Sequence, residues 1–581
     1  MYRKLRKRKI DDENDLIRLK NKYWEKLFGA AVDILQFTNI DDNIITIKYV
    51  AEKHKSCLSQ TNILDTRGLF STPTLTFEIY ERLISLIANN VMAQIQNELK
   101  DARYFSITID SVPDTDQSAI YVRYVDEDGI PKKRFLDIIN KKGDDALQLM
   151  NILHETLDKY DLNHQGFMGF SYNIDSNIPA YRAILKSSIK PINEFAEIVP
   201  CSSDPLSLVV IKAASSCSEG NAFFTTIDEL FNFFLFFKNR WDEIAFLLKN
   251  LPYSKFSSKN QIYRRLNKNW SMIVYALFHI SENMSFPRNM SIKAYFLLKK
   301  VKRLETCFIT MFWEDIIKKI TELEGNLLKH VSTEINFYEI YIIYQSLILF
   351  LNNFRTNEVF RDYKILASTK SNILHFNNNI HSEKPQMRFL VDDIDKDEKF
   401  KINTYFFMID KIQTELKYRR EIYLDLSLKF SFLDNMTKLT DAQLFVELEY
   451  LQNIFINISY QISTECDELR LILNKTKTEN TSIKDISTLI SEQSFKNYFT
   501  ELEKIIKMAL CISATNCQVE HSSMSVLSKV ITSLKSTNFI NKHTYNALIH
   551  INMDQELLKN LDFECVIKDL ARRESELDHY Y

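Results

Sequence analysis

The sequence predicts an α+β protein: a mixed α/β core followed by a long, almost wholly helical region. Between residues 104 and 200, β-branched and aromatic side chains gather in short runs. From about Leu206 onward, apolar residues recur at helical spacing. Glycine and proline number only 8 and 10 among 581 residues, which favours long helices and few tight turns.

Residues Leu16 to Lys100 have helical spacing, with Tyr80, Leu83, Ile84, Ile87 and Val91 on one face. Tyr104 to Asp110 then reads as a strand, and Ala119 to Val125 as a second. Asp126-Glu127-Asp128-Gly129 is a turn leading into a third strand, Lys133 to Ile139. A helix over about Asp145 to Tyr160, a strand over Gly166 to Tyr172, a helix through Tyr181 to Lys186 and a strand over Ala196 to Pro200 follow. This is the order of an RNase H-like core, although periodicity alone supports only a mixed α/β class. Later segments, Ile227 to Leu248, Phe400 to Leu424 and Thr440 to Ile472, read as long helices, and Asp392 to Lys399 as an exposed charged loop.

Composition limits the function classes. Hydrophobic residues make up 45% and the net charge is −2, so any nucleic-acid contact must come from a local patch. The compact basic run Arg3 to Lys9 suits a nuclear import signal, a phosphate-binding arm or a solvated terminus. Lys293 to Arg303 and Lys417 to Arg420 suit phosphate contacts or solvated helix faces. No pair among the eight cysteines has C-x-x-C spacing, so reduced and mostly buried thiols are expected. The apolar run near Ile342 to Leu351 is too short for a bilayer, and no membrane partner is expected. No phosphate loop, nucleophile elbow or cofactor fingerprint is present.

Several separated segments resemble the hAT family of DNA transposases, in the branch related to zinc-finger MYM-type proteins. Phe105-Ser106-Ile107-Thr108-Ile109-Asp110-Ser111 is similar to the opening of that family's core. Arg123-Tyr124-Val125-Asp126, Gly129 and Arg134-Phe135 resemble its hairpin. Gly169 to Asn177 resembles G-x-G-Y-D-x-A-S-N, with Asn173 where the family has Asp. Pro200 to Leu208 resembles H-C-x-x-H-x-L-N-L with both His replaced, by Pro200 and Asp204. Trp241 and Trp270 resemble two helical landmarks, and Lys399 to Leu416 a late helix of the insertion. Glu520 to Ser536, followed by Tyr545 to Ile551, resembles the C-terminal block.

The resemblance implies an RNase H-like core interrupted by a large all-helical insertion. The expected division is a basic N-terminus and helical lead-in (1–100), the first part of the core (101–215), the insertion (216–495), and a core helix with a C-terminal dimerisation region (496–575). Leu534, Leu548 and Ile551 are the expected dimerisation residues. The family cuts DNA with two divalent metals held by three carboxylates, and its three positions fall on Asp110, Asn173 and Glu520.

Asn173 offers a neutral carbonyl oxygen where the chemistry needs a charged one, so weak Mg²⁺ binding and little cleavage are expected. Asp175 has two readings. On a continuing strand it shares the face of position 173 and substitutes as a ligand; at a helix start it is an N-cap. Each residue also has an ordinary structural reading: Asp110 as a strand-end turn, Glu520 as an exposed helix residue, Cys201 as a buried thiol, the tryptophans as core. The resulting expectation is a transposase-derived nuclear protein without catalysis. It would form a homodimer or higher oligomer and bind nuclear proteins or DNA. The alternative is an active Mg²⁺-dependent transposase using Asp110, Asp175 and Glu520.

Overall fold

The computed structural model describes residues 77–112, 117–140, 146–172, 179–200, 213–237, 266–330, 337–376, 396–455, 457–475, 482–495, 497–512 and 542–562, with residues 210–211 and a few positions between 527 and 570. The chain divides into two compact units. One comprises residues 1–203 and 436–581, the other 204–435. The second unit is therefore an insertion within the first. Its start lies near the expected boundary of 216, but it ends at Asn435 rather than 495.

In the first unit, α1 (Phe77–Asp101) leads into β1 (Phe105–Ser111), β2 (Gln117–Val125) and β3 (Pro131–Asn140). Helix α2 (Ala146–Lys159), β4 (Phe167–Tyr172), α3 (Pro179–Ile189) and β5 (Glu197–Pro200) follow. The sheet order is β3-β2-β1-β4-β5. The β1–β2 and β2–β3 pairs are antiparallel, and β1–β4 and β4–β5 are parallel. An antiparallel meander joined to parallel strands through crossover helices is the RNase H-like arrangement read from the sequence.

Alternation along β1 assigns its two faces different work. Phe105, Ile107 and Ile109 join Ile120, Val122, Tyr124 and Phe170 in a core with Leu149, Leu153 and Leu157 of α2 and Leu185 of α3. On the other face, Ala119, Tyr121 and Phe135 pack against Leu83, Ile84 and Ile87 of α1 and against Leu527, Ile531, Leu548 and Ile551 from the C-terminal part. Both faces are covered, so β2 reads as a largely apolar run, while β1 alternates Phe and Ile with buried Ser106, Thr108 and Asp110.

The inserted unit is helical throughout its described residues: α4 (Ser218–Phe237), α5 (Trp270–Glu282), α6 (Arg288–Val301), α7 (Leu304–His330), α8 (Phe337–Phe354), α9 (Asn357–Ser371), α10 (Lys396–Phe400) and α11 (Phe407–Asn435). Phe308 of α7 sits within 6 Å of the rings of Phe360, Tyr363, Phe376, Phe400 and Tyr405. Such offset and edge contacts add to the area each ring buries. Trp270 is buried as core, as expected, and Trp241 lies outside the described residues.

The segment expected as one helix from Phe400 instead begins with a π-helical turn, Lys401–Phe406, before α11. Part of the expected charged loop is also ordered. Asp397 is buried in α10 and pairs with Lys364.

The first unit resumes with α12 (Asp441–Ile454), α13 (Gln461–Lys475), α14 (Ile483–Ser491), α15 (Thr500–Cys511), α16 (Lys542–Met553) and α17 (Gln555–Lys559). The single helix expected over Thr440 to Ile472 is thus two. Thr440 starts the first with a reciprocal capping box to Gln443. The first helix stops at Phe455, which is buried against Phe195 at 5.3 Å, and the Ser459 N–H is taken by Glu501. Four described cysteines, Cys217, Cys307, Cys466 and Cys511, are buried free thiols, while Cys565 is exposed.

Candidate functional site

β1 places Ser106, Thr108 and Asp110 on one face, all buried. Ser171 of β4 is buried beside them and donates to the Val199 carbonyl at 2.9 Å. Helix α15 lies over this row. Its last carbonyls accept from the sheet: Cys511 from the Ser106 hydroxyl, and Leu510 from Arg123 Nε at 2.7 Å. A Cβ on Gly169 would lie 3.2 Å from the Ser106 Cβ, a tight contact, and at an ordinary 3.8 Å from the Ile512 Cα. Burial pushes up the Cys511 thiol, so it is an inert packing group rather than a nucleophile.

Asp110 closes the row. It pairs with Ala119 across β2 and is 3% exposed. On the other side, Ile109 is in register with Tyr172, the last described residue of β4. The chain therefore leaves β4 at the Asp110 end of β1, and the next position in sequence is Asn173. Asn173, Asp175 and Glu520 themselves lie outside the described residues. Anchors exist on either side of Glu520: Ile512 lies against Gly169, and Leu527 packs in the cluster holding Val112 and Ala119. Among the described residues no group of three His, Cys, Asp or Glu side chains is arranged to hold a metal. Of the three family positions, Asp110 is the one that lies among the described residues.

A second polar constellation joins β3 to the C-terminal helices, and sequence reading missed it. Arg134 donates to Glu98 of α1 at 2.9 Å and to Glu556 of α17 at 2.9 Å. The Tyr124 hydroxyl donates to the same Glu98. Burial alone would disfavour the guanidinium charge, but the bonds to Glu98 and Glu556 outweigh it and raise the Arg134 pKa. Lys132 and Arg134 in turn lower the Glu556 carboxyl. Nearby, burial lifts the Asp554 carboxyl to about 7, against the opposing pull of Arg134. Asp554 Oδ2 has no hydrogen-bond partner, and neither has Nδ1 of His550. Burial lowers the His550 imidazole to about 4.

Leu548 and Ile551, expected at a dimer contact, are 4% and 2% exposed and packed inside their own chain. A contact through them would require the C-terminal helices to leave that core. Leu534 lies outside the described residues.

Comparison with known proteins agrees with this topology. Residues 43–181 match the RNase-like domain of the ZMYM1/FAM200 family (DUF4371). The match ends within α3, so it takes in β1 to β4 and with them Asp110 and position 173. No curated protein matches the chain. Over residues 43–181 the first unit is thus similar to the RNase-like domain of the ZMYM1/FAM200 family. No described helix is long and apolar enough to cross a membrane.

Proposed function

We propose that this chain is a transposase-derived nuclear protein in which the RNase-like fold serves as a scaffold for binding protein or DNA partners rather than for cutting DNA. The observation that carries this reading is the register at the sheet's functional end. β1 delivers Asp110, and β4, paired in parallel, runs directly into Asn173 where the family's second carboxylate belongs. Losing one formal charge from a site that must hold two dications removes attraction that a partly desolvated pocket makes large. The basic run Arg3 to Lys9 supports nuclear import. Self-association as a homodimer belongs to the same reading.

A nicking assay on supercoiled plasmid with Mg²⁺ or Mn²⁺ tests it. The expected result is no cleavage above that of Asp110→Ala, with Asn173→Asp as the variant that raises metal affinity. Cleavage by the native chain that is abolished by Asp110→Ala, Asp175→Ala and Glu520→Ala would establish the second reading. In that reading Asp110, Asp175 and Glu520 hold Mg²⁺ and the chain is an active nuclease. What favours it is sequence alone: Asp175 stands two residues from Asn173.

A further inference from the structure

Within the inserted unit, large apolar side chains stand in solvent on α5, on α6 and on the turn that joins them. Tyr275, Phe278, Met284, Ile292, Tyr295 and Phe296 are each 43% or more exposed. Around the last three, the charges have one sign: residues 288–303 include six basic residues and no acidic one. Exposed apolar side chains grouped together mark an interaction surface, and a rim of one charge sign selects what meets it.

α6 seats one face in its own unit, through Met290, Ala294, Leu297, Leu298 and Val301. Helical periodicity puts Ile292, Tyr295 and Phe296 together on the opposite face, with Ile292 at its centre. Arg288 stands one turn before this apolar patch and Lys299 one turn after it, about 16 Å apart along the axis. Lys293 lies to one side, and Lys302, just past the helix end, to the other. All four cations are exposed. Lys300 and Arg303 are engaged within the chain, by Glu229 at 2.6 Å and by Glu305 at 3.3 Å, and are not counted in this rim. The Lys299 ammonium lies 4.5 Å from the centre of the Tyr295 ring, so its stem extends the apolar patch. The face is thus an apolar centre within a cationic rim.

We infer that this face of α6 binds an acidic amphipathic helix of a partner protein. The inference rests on the partner-binding reading above and names the surface and the partner's chemistry. Ile292, Tyr295, Phe296 and the stem of Lys299 follow the i, i+3, i+4, i+7 seam on which a second helix lays its own apolar stripe. Carboxylates beside that stripe then meet Arg288, Lys293, Lys299 and Lys302. A nucleic acid answers the cations and can stack bases on Tyr295 and Phe296, but Ile292, at the centre, offers no ring to stack on. A phosphate backbone would leave that apolar centre uncovered. One helix face falls short of the roughly 1,200–2,000 Å² of a standard interface, so the contact belongs to the weak, transient class.

The test is fluorescence anisotropy of the full chain with a labelled synthetic helix of about 20 residues, leucine along one face and glutamate on both flanks. The native chain is expected to bind it, less tightly as salt rises. The same peptide with lysine for each glutamate is expected to bind about tenfold more weakly or worse. Lys293→Glu with Lys299→Glu is expected to reverse that preference, and binding of the lysine peptide then shows that the variant is folded. Ile292→Ser with Phe296→Ser is expected to weaken the acidic peptide by about tenfold. Its side chains are exposed, so its unfolding midpoint stays native. No binding by the native chain at up to about 1 mM peptide overturns this surface. The non-cutting scaffold is judged separately, by the nicking assay. Binding indifferent to both pairs of substitutions lies elsewhere and overturns it as well. An oligonucleotide held more tightly than the acidic peptide, and lost in the Lys293→Glu, Lys299→Glu variant, overturns it and assigns α6 to nucleic acid.

Discussion

Asp554 and His550 stand four positions apart, and burial moves their protonation in opposite directions. The folded Asp554 titrates near 7 instead of near its ordinary 3.8, so the fold holds its proton and loses stability as pH rises across that window. The folded His550 titrates near 4 instead of 6.5, so the unfolded chain takes up the proton first and stability falls as pH drops below 6.5. Between pH 4 and 6.5 the two slopes oppose one another. Asp554→Asn is therefore expected to leave a stability that rises with pH by up to about 1.4 kcal/mol per unit in that range, and His550→Asn one that falls by as much. Urea unfolding at pH 4.5, 5.5 and 6.5 measures both, and parallel slopes in the two variants would refute the assignment. None of this was legible in the sequence. Asp554 depends on Phe135 and Arg134, and the Arg134–Glu556 bond spans 422 positions. Asp110 was legible because a local run of alternating Phe, Ile and polar residues fixes both its strand and its face.

At the scale of elements, the clearest sequence signal was the Asp-Gly turn between β2 and β3, and the structure gives it a second role. Gly129 has φ +75°, and a Cβ there would lie 2.4 Å from the carbonyl oxygen of Ser487 in α14. The Ser487 hydroxyl donates to the Gly129 carbonyl at 2.7 Å, so the turn is also the dock for that helix. Gly129→Ala is expected to cost at least about 2 kcal/mol: about 1–2 from the left-handed backbone and the rest from displacing α14. A thermal shift of the first unit measures it, and an unchanged midpoint would mean that α14 is not seated on the turn. The strands were readable because they are short and rich in β-branched and aromatic residues. The break between α12 and α13 was not, since Phe455 and Ile458 continue the apolar spacing through the turn. The π turn at Lys401–Phe406 was invisible for a related reason: its sequence, KINTYF, carries no glycine or proline to mark it.

For the whole molecule, the insertion decides how stability is distributed. The RNase-like unit is assembled from residues on both sides of 204–435, so its sheet acquires α15 and the C-terminal helices only after the inserted unit has been traversed. The inserted unit has its own core, centred on Phe308 and the five rings around it. The boundary expected at 495 rested on helical spacing, which does not record which core a helix joins. Units with separate cores unfold as separate cooperative transitions when little couples them. Phe308→Ala removes a ring that is 1% exposed, a change of about 3–5 kcal/mol in a core of this kind. Calorimetry of the full chain is expected to show this variant lowering one transition and Gly129→Ala lowering the other. If both variants move a single transition together, the two units fold as one, and the inserted helices are a structural part of the RNase-like scaffold rather than an addition to it.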